Sequence, residues 1–554
     1  MGFLHEDYDV VIVGAGAGGG AMAWALAQEK IKVLVLDAGP AYTPEVDFKL
    51  TTQNWEDSFP YKYKSPAVQF ASHQPLKKQY KGLRSWNHLR GLLNTSNERI
   101  SFGYHRVQGV GGSSLHYSAE AHRMNPHAMK MHSRFGVAAD WPLTYEELEP
   151  FYAQAEEMMG VAGNSALPPR SRWRSTPFPQ KAHPLCAHSQ ILGRGFNQLG
   201  LNLEHNSLAI LSTPTDGRPS CNYCGCCLKG CSRKDKGTVD LTYIKHAVAT
   251  GFCTVVPNVS VKRIETGAKG KVTGVELVYE GKEAYLRCNL LVVAGGAIET
   301  PRLLLASESA QSPDGLCNES GQVGKNFMET LLWTSSCFYP QALGSYKGTA
   351  VDAICWDFND PDAIPGVIGG CRFSTSVAES DLLGPRAYAT RVVDGWGLDH
   401  KKKMRALFGS VLSVSGICES LPHEKSFVGL SIDKDESGMP LPVISSYLDE
   451  GAINRIAFMS GKCREILSAA GGGDVFEEFS SYDIFSSTHV FGTCRMGNDK
   501  GRSVVNRFCQ SHRWANLYLV DASVFPSSGG GESPSLTIQA LAIRAAKHII
   551  NRSG

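Results

Sequence analysis

Tyr8-Asp9-Val10-Val11-Ile12-Val13-Gly14-Ala15-Gly16-Ala17-Gly18-Gly19 is the stretch that decides the fold. An apolar run of strand character passes through a glycine turn into an alanine-rich helix, Ala21 to Ala27. Backbone N–H groups at that helix start, with the positive end of its dipole, suit a phosphate. In this spacing Gly14 permits the turn, Gly16 lets the backbone approach a pyrophosphate, and Gly19 lets the helix lie close to the sheet. A second strand, Lys32 to Leu36, ends in Asp37, whose carboxylate can accept a hydrogen bond from a ribose hydroxyl. Strand before, helix after and acid at the end of the second strand predict a dinucleotide-binding α/β unit.

The rest of the chain fits a large globular protein. Its 554 residues allow two to four domain-sized units, and 42% apolar with 19% charged residues is ordinary for a protein with a sizeable core. Lysine and arginine (55) nearly balance aspartate and glutamate (53), so a nucleic-acid partner is not expected, and Lys401-Lys402-Lys403 reads as a solvated turn. No stretch approaches the roughly 18 uninterrupted apolar residues of a membrane helix. Seven residues before Tyr8 are too few for a signal peptide.

Most of the 16 cysteines stand singly in apolar surroundings, as reduced core thiols do. Cys221, Cys224, Cys227 and Cys231 differ, because C-x2-C-x2-C-x3-C is the spacing of a bacterial ferredoxin run, with Cys226 as an extra thiol. No second C-x2-C knuckle follows, which disfavours tetrahedral zinc. Ser232 stands where a proline usually follows such a run. The spacing predicts an iron–sulfur cluster of three or four irons and leaves zinc or a structural thiol loop as alternatives.

Several further blocks resemble the glucose-methanol-choline (GMC) oxidoreductase family over nearly the whole chain. Gln108-Gly109-Val110-Gly111-Gly112-Ser113-Ser114-Leu115-His116-Tyr117 is similar to the family's first signature. Gly295 to Ser307 is similar to its second, except that Glu308 replaces the closing glycine, and Asn516 to Pro526 resembles its late flavin-binding strand and turn. Trp141 to Tyr152 looks like the FAD and iron–sulfur large subunits of fructose and gluconate dehydrogenases. The resemblance implies bound FAD, with Gly109, Gly111, Gly112 and Ser113 against the isoalloxazine and Val261 at the adenine. Asp521 and Ala522 would then lie near the pyrophosphate and ring. His116 falls where some relatives bond FAD covalently, so covalent and non-covalent binding both stay open. It also implies a small-molecule alcohol or sugar substrate, a small subunit and a cytochrome or other acceptor subunit. The location is then cytoplasmic, or periplasmic and membrane-associated through a partner.

Alcohol oxidation needs a base at the hydroxyl, because the alcohol does not ionise near neutrality, and a hydride acceptor at carbon. Neutral histidine suits the first task. In the family this histidine precedes a Gly-Thr-x-x-Met-Gly segment, here Gly492 to Gly497, which implies that His489 is the base and flavin N5 the acceptor. The partner position, usually histidine or asparagine, holds Ser533, whose hydroxyl reaches less far; Glu532 is next to it. Met328-Glu329-Thr330 also departs from the family's usual Met-Asp-His.

The expected architecture is an α/β, Rossmann-like FAD-binding domain over 1–330, with a covering segment over about 48–105 and the cysteine loop at 221–231. An α+β substrate domain built on a β-sheet follows over 331–480, and 481–554 returns to the first domain with the histidine. Leu331-Leu332-Trp333, Val351 to Trp356 and Phe427 to Ile432 are expected strands of the pocket's far wall, and Leu536 to Asn551 a closing helix. The leading expectation is an FAD-dependent dehydrogenase of a sugar, sugar acid or polyol. An alcohol oxidase or long-chain alcohol dehydrogenase is the alternative, suggested by Gly230 to Thr238, and a non-catalytic flavin electron-transfer subunit is a further one, suggested by Ser533.

Overall fold

Val10–Val13, a β-branched run buried on both faces, forms the middle strand of a five-stranded parallel sheet. Val33–Leu36 and Cys253–Val256 continue the sheet on one side, Leu290–Val293 and Leu517–Leu519 on the other. The order reverses at Val10–Val13, and ligands bind beyond the carboxyl ends of strands at such a reversal. The computed structural model describes residues 2–51, 55–57, 67–71, 73–104, 106–166, 172–267 and 270–553.

Helix Ala17–Gln28 follows the first strand and packs against the closing helix Ser535–Ser553. Gly14 has φ +102°, and a Cβ there would fall 2.5 Å from the Ala294 carbonyl oxygen. A Cβ on Gly19 would fall 1.8 Å from the Gly14 carbonyl oxygen, so helix and turn touch only because both residues lack side chains.

A second, eight-stranded antiparallel sheet runs in the order Gly91–Leu92, Trp86–Asn87, Val475–Ser480, Leu331–Phe338, Val411–Cys418, Cys371–Thr375, Ala353–Cys355, Glu204–His205. The two-residue period of Leu331–Phe338 explains its faces. Leu331, Trp333 and Cys337 pack with Met459, Cys463 and Ile466 of helix Glu450–Ala469, whereas Leu332, Thr334 and Ser336 face a cavity. Asp449 caps that helix through the Ala452 N–H (2.7 Å).

Three expectations change. Phe427–Lys434 is not part of the wide sheet; it pairs with Pro440–Ser445, which pairs with Gln69–Phe70, because its apolar side packs on helix Gly296–Ala306 while Ile432 is left exposed. Lys401 to Lys403 lie in an exposed helix, Gly397–Leu407, rather than a turn, since no proline or glycine interrupts the run. Strands from the first half of the chain, Trp86–Asn87 and Glu204–His205, complete the wide sheet. Of the segment 48–105, residues 52–54, 58–66, 72 and 105 lie outside the described residues. Among the described residues, no helix is long and apolar enough to cross a membrane.

Candidate active site

A cavity of about 1360 Å³ extends from the glycine turn to the wide sheet. It exceeds the ~300–1,000 Å³ usual for a drug-sized ligand, which leaves room for a dinucleotide and a second molecule. Gly14, Gly16, Asp37, Val261, Asp521 and Ala522 line it, as do Gly109, Gly112, Ser113 and His116. Gly19 and Gly111 do not; they serve packing, with a Cβ on Gly111 meeting Asp240 and Leu115 at 3.0 Å.

At the nucleotide end the Asp37 carboxylate accepts from the N–H groups of Ala15 (2.8 Å) and Gly39 (2.9 Å), which ties the second strand to the turn. Burial pushes its pKa up, against those two bonds. Asp521 accepts from Thr300 Oγ1 (2.5 Å), Gly296 N (3.0 Å) and Ser523 N (2.8 Å), fixing the last strand against helix Gly296–Ala306. The glycine turn and the second loop approach closely, since a Cβ on Gly112 would fall 2.9 Å from the Gly16 Cα. These bare backbones form a cradle that side chains would fill, and it fits a dinucleotide cofactor.

At the opposite end His489 opens onto the cavity. Its carbonyl accepts from Thr330 N (2.9 Å) and Ser487 Oγ (2.9 Å), so its backbone is held from two sides. Burial pushes the imidazole pKa down to about 4, with the Glu120 carboxylate opposing that shift and Arg372 adding to it. The ring is neutral near pH 7.

Glu120 is the charged centre of this end. Burial alone would raise its pKa, but Arg372 Nη2 (2.7 Å) and Asn206 Nδ2 (3.0 Å), with His122 nearby, hold it down to about 2. Ser533 Oγ donates to the same carboxylate (3.0 Å), and Ser533 N donates to His122 Nδ1 (3.0 Å). His122 Nε2 therefore carries the proton and donates to Asn206 Oδ1 (2.9 Å), and burial keeps this ring neutral, its pKa lowered to about 3. Ser533 has spent its proton on Glu120, so toward the cavity its hydroxyl only accepts. Glu532 turns away to Arg172 (2.6 Å), Asn359 (3.0 Å) and Asn125 N (3.2 Å). Glu379 also lines the cavity; burial, then repulsion from Glu120, raises its pKa to about 8, so near neutrality it is an acid able to donate.

Sequence reasoning missed Glu120, His122 and Arg372. The first two carried a signal: Ser118, Glu120 and His122 alternate with Ala119, Ala121 and Arg123 directly after the His116 loop. Arg372 carried none, because only tertiary pairing brings its strand to Glu120.

The cysteine loop sits against the cavity wall, where Leu228 contributes lining. Cys227 opens a turn, Cys227–Lys229, and is buried. Burial drives its thiol pKa well up, and the thiols of Cys221, Cys224 and Cys231 all lie within electrostatic reach and push the same way. Cys221 and Cys231 are raised to about 12 and about 11, by burial and then by Asp235, to which Cys231 Sγ donates (3.0 Å). The four cysteines share one loop, Cys221 to Cys231. Outside that loop, Cys186, His188 and Asp352 bring ligand atoms within 4.8 Å of one another. There the Asp352 carboxylate already accepts from Cys186 N (2.5 Å), Ser189 Oγ (2.5 Å) and Thr375 Oγ1 (3.0 Å).

Residues 17–331 match the N-terminal and 422–542 the C-terminal model of GMC oxidoreductase. The fructose dehydrogenase large subunit of Gluconobacter japonicus is 29% identical over 98% of both chains. The 2-methyl-1,2-propanediol dehydrogenase of Mycolicibacterium austroafricanum is 31% identical over 80% of this chain and 81% of its own. The crystal structure of pyridoxine 4-oxidase from Mesorbium loti superposes with a TM-score of 0.64 at 17% identity, covering 98% of this chain and 99% of that one, which is a likeness of fold.

Proposed function

Because the chain belongs to the GMC oxidoreductase family, flavoenzymes that use FAD to oxidise alcohol groups, we propose that it is a dehydrogenase of a sugar, sugar acid or polyol. Bound FAD supplies the hydride acceptor. Gly14, Gly16 and Asp37 would hold its dinucleotide, Val261 its adenine, and the Gly109 to His116 loop with Asp521–Ala522 its ring. Thr334, Ser336, Ser533 and Glu379 bring hydroxyl and carboxyl groups to the cavity, which suits a polyhydroxylated substrate.

The observation that carries the reading is a neutral imidazole, His489, open to the cavity within the field of an ionised, buried Glu120. As the hydride leaves carbon, His489 takes the hydroxyl proton and becomes a cation. Glu120 stabilises that cation, and its own charge is held in place beforehand by Arg372 and Asn206. Ser533 accepts from the substrate hydroxyl and orients it, and Glu379 donates to a neighbouring oxygen.

Each alcohol releases two electrons. We assign their exit to an iron–sulfur cluster on Cys221, Cys224, Cys227 and Cys231, supported by the ferredoxin-type spacing and by the loop's position against the cofactor cavity, which Leu228 lines. Single-electron exit calls for a one-electron acceptor, a cytochrome subunit, together with a small subunit; the relative from Gluconobacter is itself named as a large subunit.

Replacing Cys224 and Cys227 with serine tests this route. Alcohol should still bleach the flavin anaerobically at the unmodified rate, while reduction of an added cytochrome falls to background. Surviving cytochrome reduction would remove the relay. Flavin that dithionite bleaches but no sugar, sugar acid or polyol does would remove the substrate assignment.

A further inference from the structure

We propose that Lys236 is a positioning residue that joins the His116 turn to the cysteine loop and favours electron passage from the first to the second. This rests on the cluster assignment above. Lys236 is fully buried, and its ammonium donates to the carbonyl oxygens of Leu115 (3.1 Å), Tyr117 (3.1 Å) and Cys227 (2.7 Å). Three acceptors match the three N–H bonds of an ammonium; a neutral amine has only two.

The three acceptors are not scattered. Leu115 and Tyr117 flank His116, so one cation grips the residues on both sides of the histidine that faces the cofactor cavity. Cys227 is the thiol within reach of the other three, and Leu228, next in the chain, lines that same cavity. Two further bonds hold the segment rigid against the turn: Tyr117 Oη donates to Gly237 O (2.5 Å), and Val239 N donates to Ser114 Oγ (2.9 Å). The Tyr117 ring lies 5.3 Å from the ammonium.

Burying a cation against carbonyls alone is costly. The titratable groups within its electrostatic reach are the thiols of Cys227 and Cys231 and the carboxyls of Asp240 and Asp235. Thiolates holding a cluster would supply the negative charge that the ammonium needs. A fixed cation beside Cys227 would stabilise the reduced form of a cluster held there, which carries one more negative charge than the oxidised form. Each alcohol gives up two electrons, which would pass singly from reduced flavin to an oxidised cluster and on to the one-electron acceptor. Lys236 gains and loses nothing in these steps. It sets their driving force and holds the two loops at a constant separation.

The test compares Lys236→Met, Lys236→Gln and Lys236→Arg in the FAD-loaded enzyme purified without oxygen. Iron per flavin, the cluster midpoint potential followed by electron paramagnetic resonance, and the rates of flavin bleaching and cluster reduction are read together. Met and Gln should shift cluster reduction toward the oxidised form about tenfold, or ~59 mV for one electron. Arg should hold the original potential. Should the Met variant fail to fold or lose iron, the Gln and Arg pair decides: a shift in Gln alone supports the proposal, and identical potentials in the two overturn it. Iron-loaded variants with unchanged potential and transfer rate overturn this inference and leave the cluster standing. Flavin without iron in the unmodified protein overturns both.

Discussion

His489→Ala is expected to slow alcohol-driven flavin reduction by roughly two to four orders of magnitude, the usual worth of a positioned base, with flavin content unchanged. The side chain opens onto the cavity, while its backbone carries the bonds to Thr330 and Ser487, so truncation removes the proton acceptor and leaves the strand Val490–Phe491 tied. The same step in the unmodified enzyme has a defined pH dependence. Burial sets the imidazole pKa near 4, and the base works only when neutral, so the rate should be flat above that region and fall as pH drops through about 4. Rapid mixing under anaerobic conditions measures both. A variant that reduces its flavin at the original rate would remove His489 from the chemistry.

Glu120→Gln should cost nearly as much by a different route. Its carboxylate is held ionised by Arg372 at 2.7 Å, and no other carboxylate bonds to that guanidinium among the described residues. Neutralising Glu120 leaves Arg372 as an uncompensated buried charge, a loss of about 3–5 kcal/mol by the usual cost of breaking a buried pair. It also removes the anion that steadies protonated His489, for roughly a further 10²–10³-fold in flavin reduction, the scale of a lost preorganised electrostatic contact. The two effects separate experimentally. Thermal unfolding reports the first, and flavin reduction well below the melting temperature reports the second. Without Glu120 opposing burial, the His489 pKa should also move further down, carrying the acid limb of the rate with it. A Gln variant with lowered stability and an unaltered rate would leave Glu120 a purely structural role.

What was legible in the sequence was what neighbouring residues determine. The run from Tyr8 to Gly19 encodes strand, turn and helix locally, and the structure places Val10–Val13 at the centre of the parallel sheet. The closing helix, expected over Leu536 to Asn551, spans Ser535–Ser553. Long-range pairing was not legible. The Glu120–Arg372 contact joins residues some 250 positions apart, and no local period marks an arginine in Cys371–Thr375 as the counter-charge of a distant acid. Phe427 to Ile432 has the composition of a central strand, yet which sheet it joins depends on Pro440–Ser445 and Gln69–Phe70, which its own residues do not specify. Ser533 shows the same limit at a single side chain. Its position in the sequence identifies a hydroxyl, and only the bond to Glu120 shows that its proton is already spent.

The central claim is that a flavin site and a cysteine-held cluster work as one electron path. Iron and acid-labile sulfide, measured per flavin on protein purified without oxygen, test it most directly. The account predicts three or four of each per FAD; flavin at full occupancy with neither iron nor sulfide would contradict it and leave the cysteine loop a structural element of an alcohol-oxidising flavoenzyme.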